Sequence, residues 1–359
     1  MGYKELLSWM SDLPSYVPGL GLRKAAEMIG RRPEEIYPLN SNENLFIDRE
    51  FMKRLILEVV EEYDPRLYPR EEVDELVKAI AKYVGVKEEM VYIGCGSDQL
   101  IDLITLMLRH AAVAYVNPTF SMYRIRARAH RANLLEFQFE EDFKMPIEDI
   151  LTKKKEIGVF FFCSPNNPTG HLISEEEVKA LLEGLDGIIV SDEAYSEIAG
   201  STYIRLIEKY DNLVVFRSFS KSFGMAGLRL GYIVANEDII RLFKKVQYPY
   251  PVASLSMKLA IKALSNVRRF EEFWREAKEV VEWFLKEMEG IDVKVTPTRT
   301  IFATISSKLK QDFLFMELLK RGYLTRKIPP FAGFREPLRI TLAKKEVMTG
   351  FIDALLKIL

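Results

Sequence analysis

Histidine and cysteine are scarce in this chain, which has 359 residues but only three histidines and two cysteines. No two histidines stand at a spacing suited to one metal ion, and the cysteines, Cys95 and Cys163, form no C-x-x-C pair. The composition therefore disfavours a zinc site, a disulfide scaffold and a catalytic triad built on histidine. Any chemistry must come from lysine, aspartate, tyrosine, serine and arginine, or from a bound cofactor.

The chain also lacks an excess of charge of either sign, with 51 Lys and Arg residues against 52 Asp and Glu residues. Proteins that bind nucleic acid through phosphate contacts normally carry a basic excess, so we expect no nucleic-acid partner. No apolar run approaches the roughly 18 residues that a membrane span requires, and the N-terminus has no apolar signal core. We therefore expect no membrane association and a reducing, cytoplasmic location.

The middle of the chain alternates short apolar segments with helical patterns, which is typical of an α/β fold whose mostly parallel sheet is flanked by helices. Strands are predicted at 91–93, 112–116, 134–139, 158–163, 188–190, 213–216 and 230–234. Helices are predicted at 98–109, 122–131 and 175–185. Because helices separate most of these strands, the connections between them are predicted to be crossovers.

The pattern changes after about residue 250, where the chain becomes α+β. A long amphipathic helix is predicted over 271–289, short strands near 301–305, 323–326 and 338–342, and a last helix over 346–359. A chain of this length favours two domains. We predict a large domain over 40–250 and a smaller domain that combines 251–359 with 1–39, a segment that carries turn signals and one short helix.

Polar segments follow four of the predicted strands, at the edge of the sheet where ligands of α/β proteins bind. They are Gly94–Asp98, Ser164–Gly170, Ser191–Tyr195 and Ser218–Gly224, the last of which is followed by Arg229. The first three also fit structural roles as a capped turn, a rigid proline turn and a salt bridge. Together the four offer an anion cradle, an amide, a buried carboxylate and a lysine that burial would make nucleophilic.

Pyridoxal 5′-phosphate requires this combination: a lysine for the imine, an aspartate for the pyridine nitrogen and a cradle for the phosphate. Two alternatives from other classes remain open. Ser218-x-x-Lys221 also matches the S-x-x-K motif of Ser-Lys acyl hydrolases, although Ser307-x-x-Lys310 matches it too and the companion S-D-N and K-T-G motifs are absent. A non-catalytic binding protein would need only the cradle.

The sequence resembles the fold-type I pyridoxal-phosphate aminotransferases of class I and II, most closely their histidinol-phosphate aminotransferase branch. The resemblance spans nearly the whole chain and is carried by Ser218-x-Ser-Lys221 with the following Arg229, by Asp192-x-x-Tyr195 and by Asn166–Gly170. It implies that Lys221, Asp192 and Tyr195 are catalytic. The cofactor-binding residues that it implies are Ser97, Asp98, Phe120, Asn167, Asp192, Tyr195, Ser218, Ser220, Lys221, Arg229 and, donated across a homodimer interface, Tyr68.

The resemblance implies specific roles for the catalytic groups. Lys221 carries the cofactor as an imine and moves the substrate's proton, and Asp192 pairs with the pyridine N–H. Asn167 and Tyr195 bond the phenolic oxygen of the cofactor ring, while Phe120 stacks on the ring face. The resemblance implies no metal.

The substrates implied are histidinol phosphate, an amino-alcohol phosphate, and 2-oxoglutarate, a 2-oxo acid. Arg339 matches the arginine that binds the α-carboxylate, and Arg326 and Tyr16 match residues that contact the substrate's phosphate. Asn42 lies in the segment that lines this pocket. An aromatic or broad-specificity amino-acid aminotransferase and a phosphothreonine decarboxylase share nearly all of these motifs, so both remain alternatives.

Overall fold

The computed structural model describes residues 2–61 and 63–359. Its α-helices are α1 Tyr3–Ser11, α2 Leu22–Ile29, α3 Arg49–Val60, α4 Glu71–Val84, α5 Gly96–Met107, α6 Met122–Ala129, α7 Ile147–Thr152, α8 Glu175–Gly184, α9 Ser196–Ala199, α10 Glu237–Val246, α11 Ser254–Ser265, α12 Val267–Glu287, α13 Gln311–Lys320 and α14 Lys345–Leu356. Its strands are β1 Tyr37–Pro38, β2 Val91–Gly94, β3 Ala112–Asn117, β4 Asn133–Gln138, β5 Ile157–Cys163, β6 Ile188–Asp192, β7 Leu213–Ser218, β8 Gly231–Ala235, β9 Lys294–Val295, β10 Phe302–Ser306, β11 Tyr323–Leu324, β12 Arg326–Lys327 and β13 Pro337–Thr341. Short 3-10 helices lie at Pro33–Glu35, Glu88–Met90, Glu141–Phe143, Ile204–Glu208 and Ala226–Leu228.

A seven-stranded sheet forms the centre of the fold, with the strand order β2-β8-β7-β6-β5-β3-β4. Neighbouring strands are parallel except at β8, which is antiparallel to both β2 and β7. All residues of β2 and β7 are buried, as expected of strands covered on both faces. The predicted α/β class with a mostly parallel sheet is therefore confirmed, and each predicted strand of this region overlaps an observed one.

Helices cover both faces of this sheet. Alternate side chains of a strand point to opposite faces, and Phe160 and Phe161 of β5 accordingly belong to two different apolar clusters. Residues of α5, α6 and α10 pack in the cluster around Phe161, and residues of α8 and α12 in the cluster around Phe160. The central sheet therefore lies between two layers of helices.

A smaller antiparallel sheet, with the order β12-β13-β10-β9, lies in the C-terminal part of the chain. The N-terminal segment joins this part through β1, which pairs with β11 in parallel; the rings of Tyr37 and Tyr323 stack there with centroids 5.6 Å apart. The division into a domain of residues 40–250 and a second one of 1–39 with 251–359 stays a prediction.

Two local predictions are wrong. Residues 1–39 contain two α-helices instead of one, because Gly21 and Gly30, which suggested turns, are the N-cap and the left-handed C-cap of α2. The strand predicted near 323–326 is divided between β11 and β12, which belong to different sheets. Among residues 2–61 and 63–359, no helix combines the length and the apolarity needed to cross a bilayer.

Candidate active site

The N-terminus of α5 forms a backbone cradle at the end of β2. Gly96 begins the helix with a φ of 74°, which glycine adopts without strain. Gly231 of β8 packs so closely that a Cβ there would lie 2.9 Å from the Ser97 nitrogen. The Arg229 guanidinium lies beside this helix end, with Nη2 2.8 Å from Asp98 Oδ2. Free N–H groups, the helix dipole and a guanidinium together suit a phosphate.

Lys221 lies in the turn that follows β7. The Ser220 N–H donates to Ser218 Oγ over 3.1 Å within this turn, and Lys221 Nζ donates to the carbonyl of Ser41 over 3.0 Å. Burial, together with the positive charge of Arg339, lowers the pKa of the Lys221 amine to about 8. About a tenth of the amine is therefore neutral at pH 7, far more than for an ordinary lysine.

The acidic pair at the end of β6 divides between two roles. Asp192 is buried and accepts hydrogen bonds from the Tyr123 hydroxyl over 2.8 Å and the Ala194 N–H over 3.3 Å. Glu193 is instead paired with Arg217, whose Nη2 lies 2.9 Å from Glu193 Oε2. Burial raises the pKa of Asp192 to about 6, and no cation among the described residues forms an ion pair with it. Its carboxylate can therefore pair with the cation of a ligand.

The two adjacent asparagines after β5 also have different roles. Asn166 ties two loops together, because its Nδ2 donates to the Pro118 carbonyl over 2.8 Å and its Oδ1 accepts from Thr119 Oγ1 over 2.9 Å. Asn167 Oδ1 accepts from Arg339 Nη1 over 2.7 Å. Asn166 therefore holds the strand-end loops together, and Asn167 is the amide that lies with the arginine of the pocket.

Tyr195 and Asn42 meet in the pocket, although they are far apart in the sequence. Asn42 Nδ2 donates to the Tyr195 hydroxyl over 3.0 Å, and the Asn42 N–H donates to Thr341 Oγ1 over 2.9 Å. Burial raises the pKa of Tyr195 well above its ordinary value, so its hydroxyl stays protonated. Since the hydroxyl oxygen accepts from Asn42, its hydrogen is left to donate to a ligand.

Two arginines from the smaller sheet complete the pocket. Arg339 Nη2 donates to the Asn40 carbonyl over 3.1 Å, and Arg326 Nη2 donates to the Val17 carbonyl over 2.7 Å. Burial lowers the pKa of Arg339, Tyr195 and Tyr16 raise it, and the charge of Arg326 lowers it, so these groups lie within electrostatic reach of Arg339. Within the described part of the chain, neither arginine forms an ion pair with a carboxylate.

The two remaining predicted residues are aromatic. The Phe120 ring meets the Tyr123 ring edge-on, with centroids 5.8 Å apart. Tyr68 lies on the surface with 72% of its area exposed, and its ring stacks on Tyr250 at a centroid distance of 4.6 Å.

Sequence reasoning missed several groups that shape the site. Tyr123 stands three residues after Phe120, at the spacing of side chains on one helix face, and this spacing is the signal that could have found it. The carbonyls of Asn40 and Ser41 accept from Arg339 and Lys221, respectively. Every residue has a backbone carbonyl, so the sequence does not show which of them face the site.

The residues brought together fit pyridoxal phosphate. A helix N-terminus beside a guanidinium suits the phosphate, a buried carboxylate without a cation suits the pyridinium, and a lysine of lowered pKa suits the aldehyde. Two buried polar atoms, Asn42 Oδ1 and Arg339 Nε, have no partner among the described residues, which leaves hydrogen-bonding capacity for a cofactor or substrate.

Known proteins with similar sequences and structures support the same conclusion. Residues 34–355 match the family model "Aminotransferase class I and II". The histidinol-phosphate aminotransferase of Thermoanaerobacter pseudethanolicus is 33% identical over 335 residues, 90% of this chain and 93% of its own, and that of Pyrococcus furiosus is 34% identical over 323 residues, 88% and 90%. The histidinol-phosphate aminotransferase of Sinorhizobium meliloti, solved with pyridoxal-5′-phosphate, has the same fold with a TM-score of 0.84 at 20% identity, over 99% of this chain and 98% of that one. The chain therefore belongs to the aminotransferase class I and II family and is a pyridoxal-phosphate-dependent aminotransferase.

Proposed function

We propose that this protein transfers the amino group of histidinol phosphate to 2-oxoglutarate. Two relatives at 33% and 34% identity bear the name of that enzyme. The observation that carries the proposal is the neighbouring pair Arg326 and Arg339, which no carboxylate of the described chain neutralises. Two guanidinium groups that repel each other are stabilised by an anionic substrate, and both carboxylates and phosphates bind such groups bidentately.

The roles proposed for the substrate residues follow from this arrangement. Arg339 binds the α-carboxylate of the glutamate and 2-oxoglutarate pair, since its guanidinium lies beside Asn167. Arg326 and Tyr16 bind the phosphate of histidinol phosphate. Asn42, predicted from its segment to line the substrate pocket, also orients the Tyr195 hydroxyl.

The cofactor site that we propose uses the strand-end residues. Its phosphate would be held by the backbone N–H groups of Ser97 and Asp98 and by Ser218, Ser220 and Arg229. Asp192 would hold the pyridine N–H, Tyr195 and Asn167 would bond the phenolic oxygen, and Phe120 would cover the ring. Bound pyridoxal phosphate supplies an electron sink for the negative charge that develops on the substrate's Cα.

Lys221 is the group that we propose moves the proton at the substrate's Cα. An amine with a pKa of about 8 exists in both protonation states near neutral pH, so it can accept a proton and return it. The neighbouring Arg339 favours the neutral form, which is the form that accepts the proton.

The proposal includes a homodimer in which Tyr68 completes the partner's site. Exposed apolar side chains occur on α3 and on the segments near residues 67 and 250, as expected of a surface that a second subunit covers: Leu57, Val60, Leu67, Tyr68, Tyr248 and Tyr250.

Light scattering should give twice the chain mass. Mixing inactive Tyr68→Ala and Lys221→Ala subunits should restore activity, because one site of the mixed dimer keeps both residues. A monomer, or mixed subunits without activity, would contradict shared sites.

Arg326→Ala tests the choice of substrate. Losing a charge-assisted bond to phosphate costs about 1.5–3 kcal/mol, so kcat/KM for histidinol phosphate should fall about 10- to 100-fold. The reaction with phenylalanine should change little. Lys327→Ala is the matched control, since it removes the next cation of the strand, which pairs with Asp312 over 2.7 Å.

The outcomes of this comparison separate the alternatives. Equal losses on histidinol phosphate and phenylalanine would favour an aromatic or broad-specificity aminotransferase. Release of carbon dioxide from phosphothreonine would favour the decarboxylase. Family membership selects transamination over the Ser-Lys hydrolase and the non-catalytic binding protein.

We also propose a cytoplasmic location, which the unpaired Cys95 and Cys163 support because reducing compartments keep thiols free.

A further inference from the structure

Tyr123 is a buried hydroxyl donor to the carboxylate at the centre of the proposed site. Its side chain is inaccessible, Asp192 is 3% exposed, and their oxygens lie 2.8 Å apart. We propose that Tyr123 is a positioning residue that keeps Asp192 ionised and aimed at the ring nitrogen of pyridoxal phosphate. The inference rests on the role proposed above for Asp192.

The Tyr123 ring is held in place by aromatic neighbours. It stacks on Phe161 of the central sheet with centroids 4.7 Å apart and an interplanar angle of 11°. It also meets Phe120 edge-on at 87°. Because Phe120 is the residue proposed to cover the cofactor ring, one aromatic cluster fixes both the surface on which the ring lies and the donor to Asp192.

The hydrogen bond opposes the electrostatic cost of burying the Asp192 carboxylate. Burial raises the pKa of Asp192, and the charges of Asp98 and Glu193 raise it further, whereas the bonds from Tyr123 and the Ala194 N–H lower it. Burial also raises the pKa of Tyr123 well above its ordinary value, so its hydroxyl keeps its proton and remains a donor.

Removing this donor has a defined chemical consequence. Without the Tyr123 bond the Asp192 carboxylate has a greater affinity for a proton. The proton shared between that carboxylate and the ring nitrogen then moves toward the carboxylate. The cofactor ring loses positive charge, and its bond to Asp192 changes from an ion pair to a weaker neutral hydrogen bond.

The test uses Tyr123→Phe, which keeps the ring and removes the hydroxyl. Tyr92→Phe is the matched control, because Tyr92 is buried in the same apolar cluster and its hydroxyl has no partner among the described residues. Each holoenzyme is loaded with pyridoxal phosphate carrying a heavy nitrogen isotope in the ring, and nuclear magnetic resonance reports the protonation of that nitrogen. The Tyr123→Phe signal should move from the pyridinium toward the neutral position, and the Tyr92→Phe signal should match the wild type. An unchanged Tyr123→Phe signal, or equal shifts in both variants, would overturn the proposal.

Cofactor affinity gives a second readout. Tyr123→Phe should bind pyridoxal phosphate about tenfold more weakly, the effect of weakening one charge-assisted bond. Its affinity for an analogue with carbon in place of the ring nitrogen should equal that of the wild type; equal losses for both ligands would show a merely structural role. Asp192→Asn separates the role proposed for Asp192 from the role proposed for Tyr123. If Asp192→Asn also leaves the nitrogen signal unchanged, the role proposed for Asp192 is wrong. If the signal shifts in Asp192→Asn but not in Tyr123→Phe, only the role proposed for Tyr123 is refuted.

Discussion

Replacing Asp192 by asparagine should stabilise the cofactor-free protein although it damages the enzyme. The carboxylate is 3% exposed and has no cation partner among the described residues, so the bonds from Tyr123 and the Ala194 N–H offset only part of the cost of its burial. Asparagine has nearly the same shape and carries no charge. The substitution therefore isolates the electrostatic cost of preparing this site.

The magnitude follows from the pKa of Asp192, which burial raises from an ordinary value of 3.8 to about 6. A carboxyl group with a raised pKa in the folded state favours folding below about pH 4, and this contribution is lost as the pH rises through about 6. Above pH 7, where the carboxyl group is ionised in both states, the pKa difference lowers the free energy of unfolding by about 3 kcal/mol. Asparagine keeps one acceptor, for the Tyr123 hydroxyl, and loses the long bond from Ala194, which costs about 1 kcal/mol at every pH.

The free energy of unfolding of the cofactor-free proteins in urea is the measurement. Asp192→Asn should be more stable than the wild type by about 2 kcal/mol at about pH 8, and of similar stability at about pH 4. Pyridoxal phosphate should then stabilise the wild type more than the variant, because only the carboxylate forms an ion pair with the pyridinium. A variant no more stable than the wild type at about pH 8, or a difference that does not depend on pH, would refute this reasoning.

Two further predictions concern charged groups around the site. Arg339→Gln should raise the pKa of Lys221, because the charge of Arg339 lowers it. Since the neutral amine reacts with pyridoxal phosphate, the midpoint of the pH profile of the binding rate should rise above about pH 8. An unchanged midpoint would contradict the coupling. Arg217→Met should destabilise the protein by about 3–5 kcal/mol in urea, because it leaves the buried Glu193 and Glu197 without their cation. A loss below about 1 kcal/mol would show that water or rearrangement compensates these carboxylates.

The order of the elements and the positions of the strand-end segments could be predicted from the sequence. Strands buried on both faces leave unbroken apolar runs, which predict the strands at 158–163 and 213–216. Apolar residues at helical spacing predict the long helix over 271–289, which is observed as α12. The same reasoning located Lys221 and Asp192, since a polar group directly after a buried strand lies at the ligand-binding edge of the sheet. These features depend on the order of apolar and polar residues in short segments, so they can be predicted from the sequence.

The orientation and partners of the side chains were decided by the tertiary structure. The sequence showed an acidic pair, but only the packing directs Asp192 to Tyr123, 69 residues away, and Glu193 to Arg217. Arg339 meets Asn167 across 172 residues, and Lys221 meets the Ser41 carbonyl across 180. Adjacent side chains at a strand end point in opposite directions, and which of them enters the pocket depends on how the strand lies in the sheet and on what packs against it. Those long-range contacts, and the pKa values that burial produces in them, are properties of the folded chain.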